Sequence, residues 1–365
     1  MSSEPVTETA PFVGEWDRFG VRDLNAPWYA GSPSFARAPL VLPTEVPEGD
    51  VAVVGLPIDE YATSSQRSGM RWGPRRIREA SLRNVRYYAS SPDVGLLDIR
   101  SGRITTWPED RMPIVDAGDA PVVHHNVEGQ MKAASDYIRL ASLTSGVTLT
   151  LGGDHMVAYP AADGVIRAWR ERKPDLKVGF LHIDSHTDFV DDRIGQGRYN
   201  HGTCARRISE IPEVKRVAWF GLNSTSEPNQ YAVMKERGFQ AFTSFYTHRV
   251  GPVESVRRAL DYVTDGVDIL YISIDIDVVN NGDAPATGSS VYEGLTGNEY
   301  LASIRELALA PQIAGVDMCE VDPDIDGSWR TELLAATSLM SLLGRKLYRE
   351  VEVIPQDDLR AVFVV

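Results

Sequence analysis

A chain of 365 residues, 43% hydrophobic and 24% charged, has the composition of a soluble globular protein and the length to bury a large core. Its net charge of −14 argues against nucleic acid or an anionic membrane as a partner and suits a small cationic substrate. Two cysteines, Cys204 and Cys319, make neither a disulfide framework nor a zinc-type spacing, no basic and apolar leader opens the chain, and no stretch approaches the roughly 18 apolar residues of a membrane span, so the expected compartment is the cytoplasm.

Residues 1–48 are rich in Pro, Gly, Trp and Phe without periodicity, and are expected to form an arm packing on the domain or on a neighbouring subunit. No linker divides residues 49–365, which are taken as a single domain. Val51-Ala-Val-Val-Gly55 has the pattern of a short buried strand, Pro74 opens a helix from a permitted first-turn position, 82–112 is irregular, and 128–145 is strongly helical. Strands are then expected at 147–152, 177–184, 216–222, 239–243, 268–277 and 313–319. Helices are expected at 159–172, 228–237, 253–264, 297–309 and 329–345. This alternation predicts an α/β fold, a parallel sheet covered by helices on both faces.

In open α/β sheets, sites form beyond the carboxyl ends of the strands. His155 in Gly152-Gly-Asp-His155, the series Asp184, His186 and Asp188, the pair Asp275 and Asp277, and Glu320 all fall at or just past such an end. In extended backbone, residues two apart project the same way, so the spacing predicts a comb of ligands. Two imidazoles and four carboxylates favour Mn²⁺-like or Ni²⁺-like ions, and the carboxylates balance two divalent charges, which predicts a two-metal centre. Two such ions can share one water, lower its pKa and deliver hydroxide to an electrophilic carbon.

With these residues in place, the chain resembles the ureohydrolases: arginase, agmatinase and related guanidino hydrolases. Gly152-Gly-Asp-His155, Asp184-Ser-His-Thr-Asp188 and Ser273-Ile-Asp-Ile-Asp277 match the family's three motifs in order and spacing, and the resemblance spans about residues 28–345. Weaker echoes of the agmatinase-like branch are Gly31-Ser-Pro-Ser-Phe-Ala-Arg37, Gly55-Leu-Pro-Ile-Asp59 and the stretch Ser68 to Arg78. The resemblance implies a three-layer αβα arginase-like fold with an eight-stranded parallel sheet, and two divalent ions, Ni²⁺ or Mn²⁺, held by His155, Asp184, His186, Asp188, Asp275 and Asp277. It implies trimers or hexamers, with a homologous second subunit as a further option. It also gives His201, in Asn200-His-Gly-Thr203, the role of proton shuttle, and Glu320 that of guanidinium anchor. Catalysis is therefore expected from His201, Glu320 and Asp188, and substrate contact from Glu320, His201, Asn200 and Asp191.

The implied reaction hydrolyses a guanidino compound by metal-bound hydroxide to urea plus an amine or ammonia. Where agmatinase-like members usually carry D-P-A-x-A-P-G-T-G, this chain has Asn280, Asn281 and Ala286, and loop 189–200 is unlike the arginase loop that holds an amino-acid head group. These departures tilt the expectation from agmatine or a guanidino acid, such as guanidinobutyrate or guanidinopropionate, towards free guanidine or a compact biguanide such as dimethylbiguanide. A guanidino acid would need a cation for its carboxylate, for which Arg193, Arg198, Arg206 and Arg207 are available. Two other classes stay open: a non-catalytic subunit of a hetero-oligomer, and a one-zinc amide hydrolase, which six ligands suit less well. His182 is expected to be buried or to support the ligands, His124 and His125 to be surface or capping residues, and Cys204 to be a packed thiol. The Asp191-Asp192-Arg193 run is either a contact for a substrate tail or a solvated loop.

Overall fold

A computed structural model describes residues 33–62, 68–89, 96–99, 102–106, 112–193, 195–347, 349–360 and 362. Residues 1–32, most of the expected arm, lie outside the described residues, as does the Gly31-Ser32 start of one agmatinase-like echo.

In chain order the elements are β1 (Val51–Leu56), α1 (Gly73–Ala89), β2 (Leu96–Leu97), β3 (Arg103–Thr106), β4 (Ile114–Asp119), α2 (Val127–Ser142), β5 (Val147–Gly152), α3 (Ala158–Arg172), β6 (Val178–Ile183), α4 (Cys204–Ser209), β7 (Val214–Leu222), α5 (Pro228–Glu236), β8 (Gln240–Thr243), α6 (Ser244–Val250), α7 (Pro252–Val263), β9 (Ile269–Asp275), α8 (Gly297–Leu307), β10 (Ile313–Cys319), α9 (Arg330–Leu347), β11 (Arg349–Val353) and α10 (Gln356–Arg360). Eight strands form one sheet in the order β4-β1-β5-β10-β9-β6-β7-β8, with every pairing parallel. The eight-stranded parallel sheet that the resemblance implied is therefore present. A second, antiparallel sheet joins β2, β3 and β11.

The central strands β5, β6, β9 and β10 are buried along their whole length and mostly apolar, because both faces are covered. On β1, Val51 and Val53 enter one core cluster while Ala52, Val54 and Leu56 enter the other, as the two-residue period requires. Helices α1, α7, α8 and α9 complete the first cluster through Ile77, Val256, Ile304 and Leu339, and α2, α3 and α4 complete the second through Ile138, Val165 and Ile208. This makes three layers, αβα.

Strand β4 and helix α6 were not expected from the sequence. Asp116 interrupts the apolar run of β4 and would be costly if buried alone, but the Arg78 guanidinium meets it with two hydrogen bonds of 2.8 and 2.9 Å. Asp116 Oδ2 also accepts the Phe35 N–H at 2.9 Å, which ties the buried Phe35 segment to the sheet edge.

The order of strands positions the site. β5, β10, β9 and β6 are consecutive neighbours at the centre of the sheet, and His155, Glu320, Asp275 and Asp184 stand at or just beyond their carboxyl ends.

Candidate metal centre and substrate cavity

The ligand spacing arises from turns rather than from extended backbone, which corrects the comb expected from the sequence. β6 stops at Ile183 and β9 at Asp275. Beyond each end an aspartate folds back on the chain. Asp184 Oδ1 accepts the His186 N–H, Asp275 Oδ1 accepts the Asp277 N–H at 2.8 Å, and Asp154 Oδ1 does the same for Met156 at 2.9 Å. Short acidic side chains favour this two-residue closure. One carboxylate oxygen holds the turn, and in Asp184 and Asp275 the other is left for a ligand. Asp188 follows with φ of 43°, an unusual conformation for a residue with a side chain. Gly153, before Asp154, is also required: a Cβ there would stand 1.7 Å from the Ile58 carbonyl oxygen.

The freed oxygens converge. His155 Nδ1 lies 3.0 Å from Asp184 Oδ2, 3.0 Å from Asp188 Oδ2 and 3.1 Å from Asp275 Oδ2. The ring is buried, yet among the described residues Nδ1 makes no hydrogen bond with acceptable geometry, so it is aimed between the three carboxylates rather than at one. Beside it, His186 Nδ1 lies 3.0 Å from Asp277 Oδ2 and 3.5 Å from Asp184 Oδ1. The ligand atoms of His155, Asp184 and Asp275 lie within 4.8 Å of one another, as do those of Asp184, His186 and Asp277, so each group could hold a metal ion, and Asp184 belongs to both.

The electrostatics fit cations. Burial, with the charges of Asp277 and Asp184, pushes the Asp275 carboxyl well above the usual range. Burial also lifts Asp277 to about 7, His186 opposing the rise and Asp184 adding to it. Carboxylates packed so closely require positive charge, and oxygen with imidazole donors suits divalent ions.

Behind His155 lies a support that the sequence did not reveal. Its Nε2 is 2.9 Å from Ser273 Oγ, which donates to Asp317 Oδ1 at 2.8 Å, while Tyr271 donates to Asp317 Oδ2 at 2.8 Å. With Ser273 Oγ accepting from Nε2–H, the Nδ1 lone pair is directed at the cluster. The available signal was Asp317 itself, an acid inside the apolar run of β10. His182 stacks on His155 with ring centroids 4.7 Å apart and places Nε2 2.9 Å from Asp184 Oδ2. Cys204 is buried, and its Sγ lies 3.5 Å from Asp188 Oδ2.

A cavity of about 440 Å³ opens on this cluster. His186, Asp188, His201, Asp275, Asp277 and Glu320 line it, together with Arg193, Ser224, Thr225 and Glu227. Glu320 adopts φ of 62°, strained for a glutamate, and its Oε1 accepts the His155 N–H at 2.8 Å. Its Oε2 is buried and has no hydrogen-bond partner among the described residues. His201 places Nδ1 3.7 Å from Glu320 Oε1. Burial works against protonation of His201, but the neighbouring Glu320 carboxylate and the charges of Asp188 and Asp154 outweigh it and raise the pKa.

Two expected substrate contacts do not line the cavity. Asn200 is buried in a cap: its Oδ1 accepts the Gly202 N–H at 3.1 Å and its Nδ2 donates to the Gly197 carbonyl at 2.8 Å. Asp191 turns to Arg207 Nη2 at 2.6 Å and Arg198 Nη1 at 3.2 Å. The amide is spent on backbone, and the carboxylate on arginines. Of the remaining histidines, His124 pairs with Glu60, and His248 Nδ1 lies 3.0 Å from Glu299 Oε1.

The Arginase family profile matches residues 49–344. The human mitochondrial guanidino acid hydrolase is 31% identical over 325 residues, covering 86% of this chain and 85% of that protein. The mitochondrial agmatinase of Gallus gallus is 32% identical over 297 residues, covering 80% of each. Among solved structures, a hypothetical agmatinase from Burkholderia thailandensis superposes with a TM-score of 0.71 at 26% identity, covering 88% of this chain and 92% of that one.

Proposed function

The chain belongs to the arginase family and is a hydrolase of C–N bonds in guanidino compounds, and we propose that its reaction is metal-dependent cleavage of a substituted guanidine to urea and an amine. The observation that carries this reading is the buried His155 Nδ1 set among three carboxylates at 3.0–3.1 Å, in a cluster that opens on a cavity also lined by Glu320.

His155, Asp184, Asp188 and Asp275 would hold one ion and Asp184, His186 and Asp277 a second, with Ni²⁺ and Mn²⁺ the proposed metals. When bound, such ions lower the pKa of water towards neutrality and supply a nucleophile at physiological pH. The protein's own groups do the rest. A guanidinium is planar and permanently charged, so the unpartnered Glu320 Oε2 can take its N–H groups and fix the central carbon. His201, lining the same cavity with its pKa raised, can give a proton to the leaving nitrogen. Asp188, which faces both His155 and the cavity, is assigned to the same proton traffic.

The proposed substrate carries a tail, as agmatine and the guanidino acids do. Both classes are named among the relatives, and a cavity of about 440 Å³ exceeds what free guanidine fills. The loop that tilted the sequence reading towards compact substrates has a structural use: Asn280 Oδ1 accepts the Gly282 N–H at 2.9 Å and the Asp283 N–H at 3.1 Å. Residues 279–288 are not among those lining the cavity. No helix among the described residues is long and apolar enough to cross a membrane. A cytoplasmic trimer or hexamer completes the proposal. Urea release from a panel of guanidino compounds by Mn²⁺-loaded and Ni²⁺-loaded protein tests it, and failure with every compound despite bound metal would refute it.

A further inference from the structure

A tailed substrate needs a receptor for its tail, and the structure separates the four candidate arginines. Arg198 pairs with Asp191 at 3.2 Å and Glu210 at 3.3 Å. Arg206 pairs with Glu210 at 2.9 Å and covers the Phe189 ring at 5.1 Å. Arg207 is buried against Asp191 at 2.6 Å and Glu210 at 3.1 Å. None of these three lines the cavity. Arg193 does, and among the described residues its guanidinium has no hydrogen-bond or ion-pair partner.

Its placement is specific. The backbone turns tightly here, with the Gln196 and Gly197 N–H groups donating to the Arg193 carbonyl at 2.9 and 2.8 Å. The side chain lies across Gly202, the neighbour of His201: a Cβ on that glycine would stand 3.5 Å from Arg193 Cζ. Ser224 and Thr225, also on the cavity, carry hydroxyls without a partner among the described residues. A half-buried cation that shares a cavity with a half-buried hydroxyl donor, Ser224, can receive an anion.

Resting on the ureohydrolase reading, we propose that Arg193 binds the carboxylate of the substrate's tail, so that this enzyme prefers ω-guanidino carboxylic acids to agmatine. The zwitterion matches the cavity, its guanidinium meeting Glu320 and its carboxylate meeting Arg193. Glu227 lines the same cavity and would attract the ammonium of agmatine, but it is exposed, so water already satisfies it. Arg193 is partly withdrawn from water and gains more from a counter-ion.

The test is steady-state urea release by the metal-loaded full chain and its Arg193→Gln, Arg193→Lys and Arg193→Glu variants, with 4-guanidinobutanoate, 3-guanidinopropanoate, agmatine and guanidine. Metal content of each variant verifies that the site is intact. Arg193→Gln should raise KM for the two acids about 10- to 100-fold with kcat little changed and leave agmatine unaffected. Arg193→Lys should recover part of the loss, and Arg193→Glu should favour agmatine. Wild-type preference for agmatine or guanidine, or equal effects of Arg193→Gln on acids and agmatine, would overturn this assignment and leave the ureohydrolase reading standing. No urea from any compound would overturn both.

Discussion

His155 Nε2 lies 2.9 Å from Ser273 Oγ, so the imidazole whose Nδ1 faces the carboxylate cluster is held from behind by a hydroxyl two residues before Asp275 on β9. One strand thus supplies both a proposed ligand and the support for another. Ser273→Ala leaves Nε2–H without this acceptor and the ring freer to turn. Metal affinity should fall about 10- to 100-fold while the fold is retained. Calorimetric titration of the metal-free protein checks this, and unchanged affinity would show that the hydrogen bond does not orient His155.

Asp184 belongs to both proposed metal groups, whereas Asp277 belongs to one. Asp277→Ala should abolish urea release and leave part of the bound metal. Asp184→Ala should lose more. Elemental analysis per chain distinguishes them, and equal metal in the two variants would contradict the shared position of Asp184.

Glu320 is assigned to the substrate and not to the metals, although its Oε1 is tied to the His155 N–H at 2.8 Å. Glu320→Gln keeps the shape and that contact but removes the charge. Bound metal should stay at the wild-type level while kcat/KM falls by roughly 100-fold or more. Normal turnover would remove Glu320 from the role of guanidinium anchor.

The Arg78–Asp116 pair is nearly dry, with side-chain exposures of 7% and 0%. Removing one member strands the other charge. Arg78→Ala should cost about 3–5 kcal/mol of unfolding free energy, measured by chemical denaturation, and Arg78→Ala with Asp116→Ala should cost less than either single change predicts by addition. Strict additivity would mean that the pair is not coupled.

Much of the fold was legible because buried parallel strands announce themselves. Val147 to Leu151 and Ile269 to Ile274 are apolar runs between helical patterns, and each proposed ligand follows such a run. β4 was missed because its central residue is an aspartate neutralised from 38 residues away, a pairing that no local period encodes. The proposed ligands were found for an incomplete reason. Asp184 and Asp275 stand two residues before their partners because each caps its own turn, and alternation on a strand only mimics that spacing. Asn200 and Asp191 could not be placed from sequence, since what decides them is the cap at Gly202 and the arginines Arg198 and Arg207, contacts set by the folded loop. Arg193 was one of four equivalent arginines until ion pairs claimed the other three.

Urea is the common product of the guanidino acids, agmatine and free guanidine, so its release from them tests the central claim most directly. Protein loaded separately with Mn²⁺ and Ni²⁺ should form urea from at least one tailed guanidino compound in amounts equal to the amine released, and Asp277→Ala should form none. Bound metal at about two ions per chain with no urea from guanidino acids, agmatine or guanidine would contradict the account.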